Sequence, residues 1–190
     1  MLDSYRRVLL IASVFVLAGC ADNSDRIDLR VGLFFAENTR NLVLADSEGE
    51  LQLGEDLVSD LTRSIQGIFT SVEVLDSYPT RASIADEQLS LAVVVQFGNM
   101  DGSSKFEGNG FLNQSEASRT ISVELICYNP AMVEIALVKA SGRGNASAHG
   151  IVFSSEKSAR VKSAKAAIRD LGSNVVLQMS SNPEIRKMAE

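Results

Sequence analysis

The strict alternation of polar and apolar residues from Thr120 to Leu125 restricts the fold more than any other stretch of the chain. Successive side chains of a strand point to opposite faces of a sheet, so this period of two predicts a half-buried β-strand. A turn at Asn129-Pro130 leads into a second strand, residues 132–138, whose apolar face is formed by Val133, Ile135 and Leu137. Together they predict an antiparallel hairpin.

Small residues line one face of the chain directly after this hairpin: Ala140, Gly142, Gly144, Ala146 and Ala148. A strand with so bare a face is expected to lie close under another element. The last predicted helix has small residues of its own, including Ala164 and Ala167. Packing within the chain is therefore the first explanation, and contact with a neighbouring subunit is the alternative.

Two long amphipathic helices are predicted from apolar residues spaced three and four apart. The first begins at Gly54, which can serve as its N-cap, and ends near Phe69. The second begins near Ser154 or Ser155 and bends near Gly172. Its core-facing residues are Val161, Ala164, Ile168, Leu171, Val175 and Met179. Asn182-Pro183 then predicts the cap and first turn of a short terminal helix.

The remaining segments complete a single domain. Strands are expected at residues 29–35, 72–75 and 89–97, and residues 42–44 permit a short one. Glycine, asparagine and serine dominate residues 98–110, which predicts either a mobile loop or a wide hairpin. The fold class is therefore α/β (α+β): one domain with a mostly antiparallel sheet, a β-meander and two main helices packed on it.

The N-terminal stretch predicts export and lipidation. Arg6 and Arg7 precede an apolar run, residues 8–17, that is too short to span a bilayer but suits a secretory signal. The sequence Leu17-Ala18-Gly19-Cys20 resembles a bacterial lipobox, which implies cleavage between Gly19 and Cys20 and acylation of Cys20. An ordinary signal peptide with a chance cysteine is the alternative. Ala21, by the sorting rule of enteric bacteria, implies the outer membrane.

These assignments divide the chain into a signal peptide (1–19), a lipidated cysteine with its tether (20–27) and a periplasmic domain (28–190). Removal of the signal peptide changes the formal net charge from −6 to −7, because Asp3, Arg6 and Arg7 are lost. An acidic domain of this kind is not a general nucleic-acid binder. Cys127 has no partner for a disulfide once Cys20 carries lipid, so it is expected to be a small buried hydrophobe.

Neither a catalytic nor a metal site is predicted. His149 is the only histidine, and the sequence supplies no recognisable partners for a zinc site, a serine triad or a Cys-His pair. Gly142-Arg143-Gly144 lacks the third glycine of a dinucleotide fingerprint. No cofactor is expected, and the protein is expected not to be an enzyme.

The charged residues near the two long predicted helices differ in sign. Basic residues gather on the last helix, and acidic residues gather around the start of the first, at Glu48, Glu50, Glu55, Asp56 and Asp60. Both groups suit solvated faces. The alternative is an interaction surface that meets the acidic face of a neighbouring subunit or an anionic envelope polymer, formed by Lys157, Arg160, Lys162, Lys165 and Arg169.

The order of lipobox, strand, helix, strand, β-meander and long helix resembles the small Gram-negative lipoproteins of the YajG kind. The wider resemblance is to the lipidated domains of LpoB and CsgG, with local matches from Gly54 to Phe69 and from Ala167 to Pro183. It implies an α/β sandwich and a non-catalytic envelope role. The chain has no amphipathic hairpins of the kind that would build a pore.

These inferences converge on an outer-membrane-anchored periplasmic lipoprotein that serves as an accessory or assembly factor of an envelope complex. Its expected partners are the membrane, through the N-terminal lipid, and either an envelope protein or further copies of itself. The alternative is a lipoprotein that binds a small ligand or a glycan. An envelope hydrolase ranks last, because no nucleophile-base set is present.

Overall fold

The computed structural model describes residues 26–46, 49–109, 112–150 and 152–190. The predicted signal peptide, the cleavage site at Gly19 and Cys20, and tether residues 20–25 lie outside the described residues. Among those described, no helix is both long and apolar enough to cross a membrane.

A five-stranded sheet carries the fold, and β2 and β3 form a separate small hairpin. In chain order the elements are β1 (Ile27–Phe35), α1 (Glu37–Arg40), β2 (Val43–Asp46), β3 (Gly49–Gln52), α2 (Gly54–Gln66), β4 (Phe69–Val74), α3 (Arg81–Asp86), β5 (Leu91–Asn109), β6 (Leu112–Tyr128), β7 (Glu134–Gly150), α4 (Val152–Ser181) and α5 (Pro183–Lys187). This mixed α/β domain confirms the predicted fold class.

The strands of the large sheet lie in the order β4-β1-β5-β6-β7. β1 pairs in parallel with β4 on one side and with β5 on the other. β5, β6 and β7 form the predicted meander, with antiparallel pairings much longer than the parallel ones. α2 connects β1 to the parallel β4, as a parallel pair requires a crossover rather than a tight turn.

Helix α2 is shorter than its apolar spacing predicts. It ends at Gln66, and Gly67 follows as its C-cap. Ile68 and Phe69 are buried as expected, but Phe69 opens β4 instead of extending the helix. Gly54 is the first residue of α2 rather than its cap. A Cβ there would lie 1.8 Å from the backbone oxygen of Arg40, so only glycine fits this close approach.

Residues 98–109, which the sequence predicts as a loop or wide hairpin, continue β5 as a regular strand. An irregularity between Phe97 and Met100 interrupts the ladder, and pairing with β6 then continues as far as Asn109 and Leu112. The wide-hairpin alternative was therefore the correct one. We call residues 100–109, 112–121 and 142–150 the arm, and the rest of the sheet the body.

Helix α4 begins at Val152, earlier than the predicted Ser154 or Ser155 cap, and it runs unbroken through Gly172 to Ser181. Gly172 allows α2 to approach, because a Cβ there would lie 2.5 Å from the Ser64 Oγ atom. Main-chain atoms of α4 also lie against β7. A Cβ at Gly142 would lie 2.1 Å from the Leu171 nitrogen, and one at Gly144 would lie 2.0 Å from the Ser163 oxygen. Packing within the chain therefore explains the stripe of small residues.

The two faces of the sheet are covered unequally. α2 and α4 lie on one face, where they bury the main core, including Leu33, Val93, Leu125 and Ile168. On the opposite face, which we call the outer face, a small cluster of Leu75, Ile84, Leu89 and Ala92 packs beneath α3. α3 is a six-residue helix that Thr80 starts through a capping box with Ser83, and it was not predicted from the sequence.

Candidate functional site

Only part of the predicted basic surface on α4 is exposed to solvent. Lys157, Lys162, Lys165 and Arg169 are exposed, whereas Arg160 is 5% exposed. Arg160 and Lys157 instead line a cleft of about 230 Å³ between α4 and the β2–β3 hairpin. The side chain of Arg160 is thus held inside the fold and contributes little to an external contact.

The acidic start of α2 meets the basic flank of α4 within one chain. The Lys165 Nζ atom lies 3.1 Å from the Asp56 Oδ2 atom, and both side chains are nearly half exposed. Lys165 and Asp56 therefore pair within one chain, so this pair does not support the expectation that these charges meet between subunits. An exposed pair of this kind contributes about 1 kcal/mol or less.

His149 and Cys127 cannot act together. His149 is exposed and stands opposite Gln114 near the end of the arm, whereas Cys127 stands opposite Ala136 in the body. At about 3.3 Å for each strand residue, the two side chains are roughly 40 Å apart. Burial, with a smaller contribution from the charge of Glu134, raises the pKa of the Cys127 thiol to about 12. This thiol is therefore the inert buried hydrophobe that the sequence predicts.

The described residues also provide no metal site. Within residues 26–46, 49–109, 112–150 and 152–190, no group of three His, Cys, Asp or Glu side chains is placed to hold a metal ion.

An apolar row crosses the outer face of the body. Strand pairing places Phe34, Val94, Ile126 and Leu137 side by side on four neighbouring strands. Val94 is fully buried, Phe34 and Ile126 are half-buried, and Leu137 is 45% exposed. The next row towards the arm is polar, with an ion pair of 2.7 Å between Lys139 and Glu124. An exposed apolar patch with a polar rim is typical of an interaction surface.

Two tyrosines extend this row. The Tyr78 ring meets the Phe34 ring edge-on at a centroid distance of 5.5 Å, and the Tyr78 and Tyr128 hydroxyls are 3.4 Å apart. That hydrogen bond, together with burial, raises the pKa of Tyr128 to about 12. Tyr128 is therefore neutral at physiological pH. We call Phe34, Tyr78, Ile126, Tyr128 and Leu137 the outer-face patch.

Two arginines lie beside the patch. The Arg40 guanidinium is 5.4 Å from the centre of the Phe34 ring, and it donates hydrogen bonds of 3.0 Å to the Phe35 and Leu75 carbonyls. Arg81 donates a hydrogen bond of 3.0 Å to the Ala131 carbonyl, which ties α3 to the turn between β6 and β7. Both guanidinium groups are thus held in place rather than free to rotate.

The outer-face patch was not predicted from the sequence. Its signal was present: Ile126 and Leu137 are apolar at positions where the alternation of β6 and β7 requires outward-facing residues. The hairpin itself is confirmed, but Leu137 and Val133 lie 45% and 56% exposed, and β7 packs under α4 through Val138 and Ala140 instead.

The outer face of the arm differs in being polar along the rows from Asp101 to Glu107 of β5. Aligned residues form rows across its three strands, such as Ser103, Ser118 and Asn145, followed by Lys105, Glu116 and Ser147. These six side chains line an open groove of about 510 Å³. Lys105 also pairs with Glu107, and that contact lowers the pKa of the Glu107 carboxyl and raises that of the Lys105 ammonium.

Comparison with known proteins shows the fold and no more. No protein-family model matches the sequence. No curated protein matches it either. Among solved structures, a Helicobacter pylori protein described as a neuraminyllactose-binding hemagglutinin homolog is similar with a TM-score of 0.50 and 9% identity, over 86% of this chain and 93% of that one.

Two further structures are similar at lower scores. A minor lipoprotein from Acinetobacter baumannii has a TM-score of 0.43 and 12% identity, over 82% of this chain and 95% of that one. A protein from Caulobacter crescentus described as a lipoprotein has a TM-score of 0.39 and 8% identity, over 67% of this chain and 80% of that one.

Proposed function

We propose that this protein is a lipoprotein anchored through Cys20 to the periplasmic face of the outer membrane, and that it is a non-catalytic accessory or assembly factor of an envelope complex. The position of the arm supports this proposal. It extends the sheet beyond the end of β1 at Phe35, on the side away from Ile27, where the tether joins the domain. The protein therefore holds a polar strand surface far from the point at which its chain leaves for the membrane.

The outer face of the arm is suited to a macromolecular partner. Its rows of hydroxyl, amide and charged side chains, such as Ser118, Asn145 and Lys105, provide hydrogen-bond donors and acceptors on a broad surface. The groove there is open to solvent and does not enclose a small substrate. A partner that covers several rows at once gains many weak polar contacts together.

The anchor is tested by Cys20→Ala. Cys20 precedes a polar tether and lies outside every apolar pattern of the domain, so its loss should release the protein from the membrane without unfolding it. Fractionation should move the variant from the membrane pellet to the soluble fraction, with an unchanged melting temperature. A variant that stays in the membrane after salt and carbonate washes would contradict lipid anchoring.

The partner is tested by crosslinking in cells from two exposed serines. A photoreactive residue at Ser147 samples the outer face of the arm, and one at Ser173 samples the solvent side of α4. We expect a discrete adduct from Ser147 only, with a single envelope protein or a second copy of this chain identified by mass. Identical adduct patterns from the two positions would contradict a role for the arm.

The groove on the arm supports a second candidate, a lipoprotein that binds a glycan. Ser103, Ser118, Asn145 and Ser147 bring hydroxyl and amide groups together there, and such groups pair with sugar hydroxyls. Titration calorimetry with soluble envelope glycan fragments tests this candidate. Asn145→Ala should weaken the binding, whereas Ser173→Ala should leave it unchanged.

A further inference from the structure

We infer that the outer-face patch docks on the lipid bilayer to which Cys20 is anchored, so that the protein lies against the membrane in one orientation. This inference rests on the proposed lipid anchor. It concerns Phe34, Tyr78, Ile126, Tyr128 and Leu137, which the anchor itself does not require.

The length of the tether places the bilayer within reach of the patch. Arg26 is the first described residue, and the six residues 20–25 separate it from the membrane. An extended chain of six residues spans about 20 Å. From Ile27 to Phe34 along β1 the distance is about 23 Å at the usual rise of a strand. Phe34 lies at the end of β1 opposite the tether, but the tether is long enough to let the whole outer face of the body lie against the bilayer, with the arm continuing beyond the patch.

The chemistry of the patch suits a membrane interface. Tyrosine rings are enriched at the level of lipid headgroups, because each has an apolar body and a polar tip. Tyr78 is 48% exposed and Leu137 is 45% exposed, so both can enter the headgroup region without unfolding. Arg40 and Arg81 place positive charge at the edge of the patch, where it attracts lipid phosphates.

Docking would determine the direction of the arm. The strands that contribute Ile126 and Leu137 to the patch, β6 and β7, continue into the arm without a break. With the patch on the bilayer, these strands run along the membrane surface, the outer face of the arm is turned towards the same membrane, and α4 faces the periplasm. The partner of the arm is then a component at the same membrane rather than one across the periplasm.

Tryptophan fluorescence tests the inference directly, because the sequence contains no tryptophan. Three variants of the lipidated full-length protein are reconstituted separately into phosphatidylethanolamine and phosphatidylglycerol vesicles with brominated acyl chains. Tyr78→Trp and Leu137→Trp report from the patch. Leu177→Trp is the matched control, since Leu177 is 66% exposed but lies on α4, on the opposite side of the sheet.

We expect the emission of Tyr78→Trp and Leu137→Trp to shift to the blue and to be quenched by the brominated chains, while Leu177→Trp stays unquenched. Absence of quenching at both patch positions in lipidated, vesicle-bound protein would overturn docking and leave the anchor intact. A blue shift without quenching would also overturn it, by indicating a protein as the occupant. A mature protein without acyl chains on Cys20, measured by mass, would reject the anchor and the docking together.

Discussion

The body and the arm share strands β5, β6 and β7, yet different contacts hold each of them in place. In the body, both faces of β5 are covered, since Val93 on one face and Val94 on the other are fully buried. In the arm, α4 covers β6 and β7 on one face, whereas Gly102, Ser104 and Phe106 of β5 stay exposed on that face, and the outer face is polar. The contact with α4 there is made by small residues, including Gly144, and by a minor cluster of Ala117, Ala148 and Ala159.

This difference shows that a strand can be stabilised without large side chains. Close approach of α4 to Gly142 and Gly144 brings main-chain atoms into van der Waals contact, and the ladder with β6 satisfies the strand hydrogen bonds. The outer face of the arm is then not required for packing. The body holds the fold together, and the arm provides an unconstrained polar surface.

α4 also forms hydrogen bonds with the free edge of β7. The Arg143 backbone N–H donates a 2.8 Å hydrogen bond to the Asp170 carboxylate, and the Asn174 amide donates one of 2.8 Å to the Ser141 carbonyl. These side chains occupy ladder positions that another strand could otherwise use. α4 therefore shields this stretch of the edge from strand pairing, which favours the outer face over the edge as the site of partner contact.

The largest effect is expected in the body, from Ile168→Asp. Ile168 is 1% exposed within the main core. An unpaired carboxylate there costs several kcal/mol, against a total stability of about 5–15 kcal/mol for a domain. The variant should be insoluble or unfolded in circular dichroism. Ser173→Asp, an exposed site on the same helix, is the control, and equal melting temperatures for the two variants would refute the core assignment.

Gly142→Ala tests whether close main-chain contact holds the arm to α4. The added methyl group would meet Leu171 and Ala167 backbone atoms at 2.1 and 2.2 Å, so α4 must move away. We expect a loss of about 3 kcal/mol in the free energy of unfolding, at the upper end for overpacking. Ser141→Ala, one residue earlier and on the outer face, should change it by about 0.5 kcal/mol or less. Similar values for both would show that glycine is not required.

The buried thiol of Cys127 predicts a pH dependence confined to the body. Its pKa is raised in the folded state to about 12, so folding favours the protonated thiol. The stabilising contribution is complete below the ordinary thiol pKa and is lost as pH rises towards 12. Urea unfolding at neutral pH and at about pH 11 should show a decline that is smaller in Cys127→Ala than in the wild type. Equal declines in the two proteins would contradict the burial of the thiol.

Lys165→Ala is expected to have the smallest effect. The pair with Asp56 spans 3.1 Å, but its side chains are 48% and 44% exposed. Its removal should cost about 1 kcal/mol or less, and the difference should shrink in high salt. A double-mutant cycle with Asp56→Ala isolates the coupling between the two residues. A coupling near zero would show that the α4 charges are simply solvated.

The sequence predicted the parts of the fold in which periodicity reflects burial. β1, the hairpin of β6 and β7, α5 and the stripes of α2 and α4 follow from apolar spacing and capping residues. The β5 part of the arm was predicted only as one of two alternatives, because the glycine, asparagine and serine of residues 98–104 have low strand propensity and pairing with β6 overrides it. α3 was missed because a short helix leaves little periodic signal.

The candidate site was harder to predict than the fold. The composition of one strand does not reveal which of its faces a helix covers. Strand order alone places Phe34, Ile126 and Leu137 in one row, although they are far apart in the sequence. Likewise, the charges of α2 and α4 could only be seen to meet once the two helices were placed together.

Amide hydrogen exchange along β6 tests most directly whether the arm is a folded continuation of the body. Residues 115–121 pair with β5 on one side and with β7 on the other, as residues 123–127 do in the body. We predict that the amides of both segments exchange far more slowly than those of an unstructured peptide. Exchange of residues 115–121 at the rate of a free loop, with residues 123–127 still protected, would contradict a folded arm and remove the surface on which the proposed function depends.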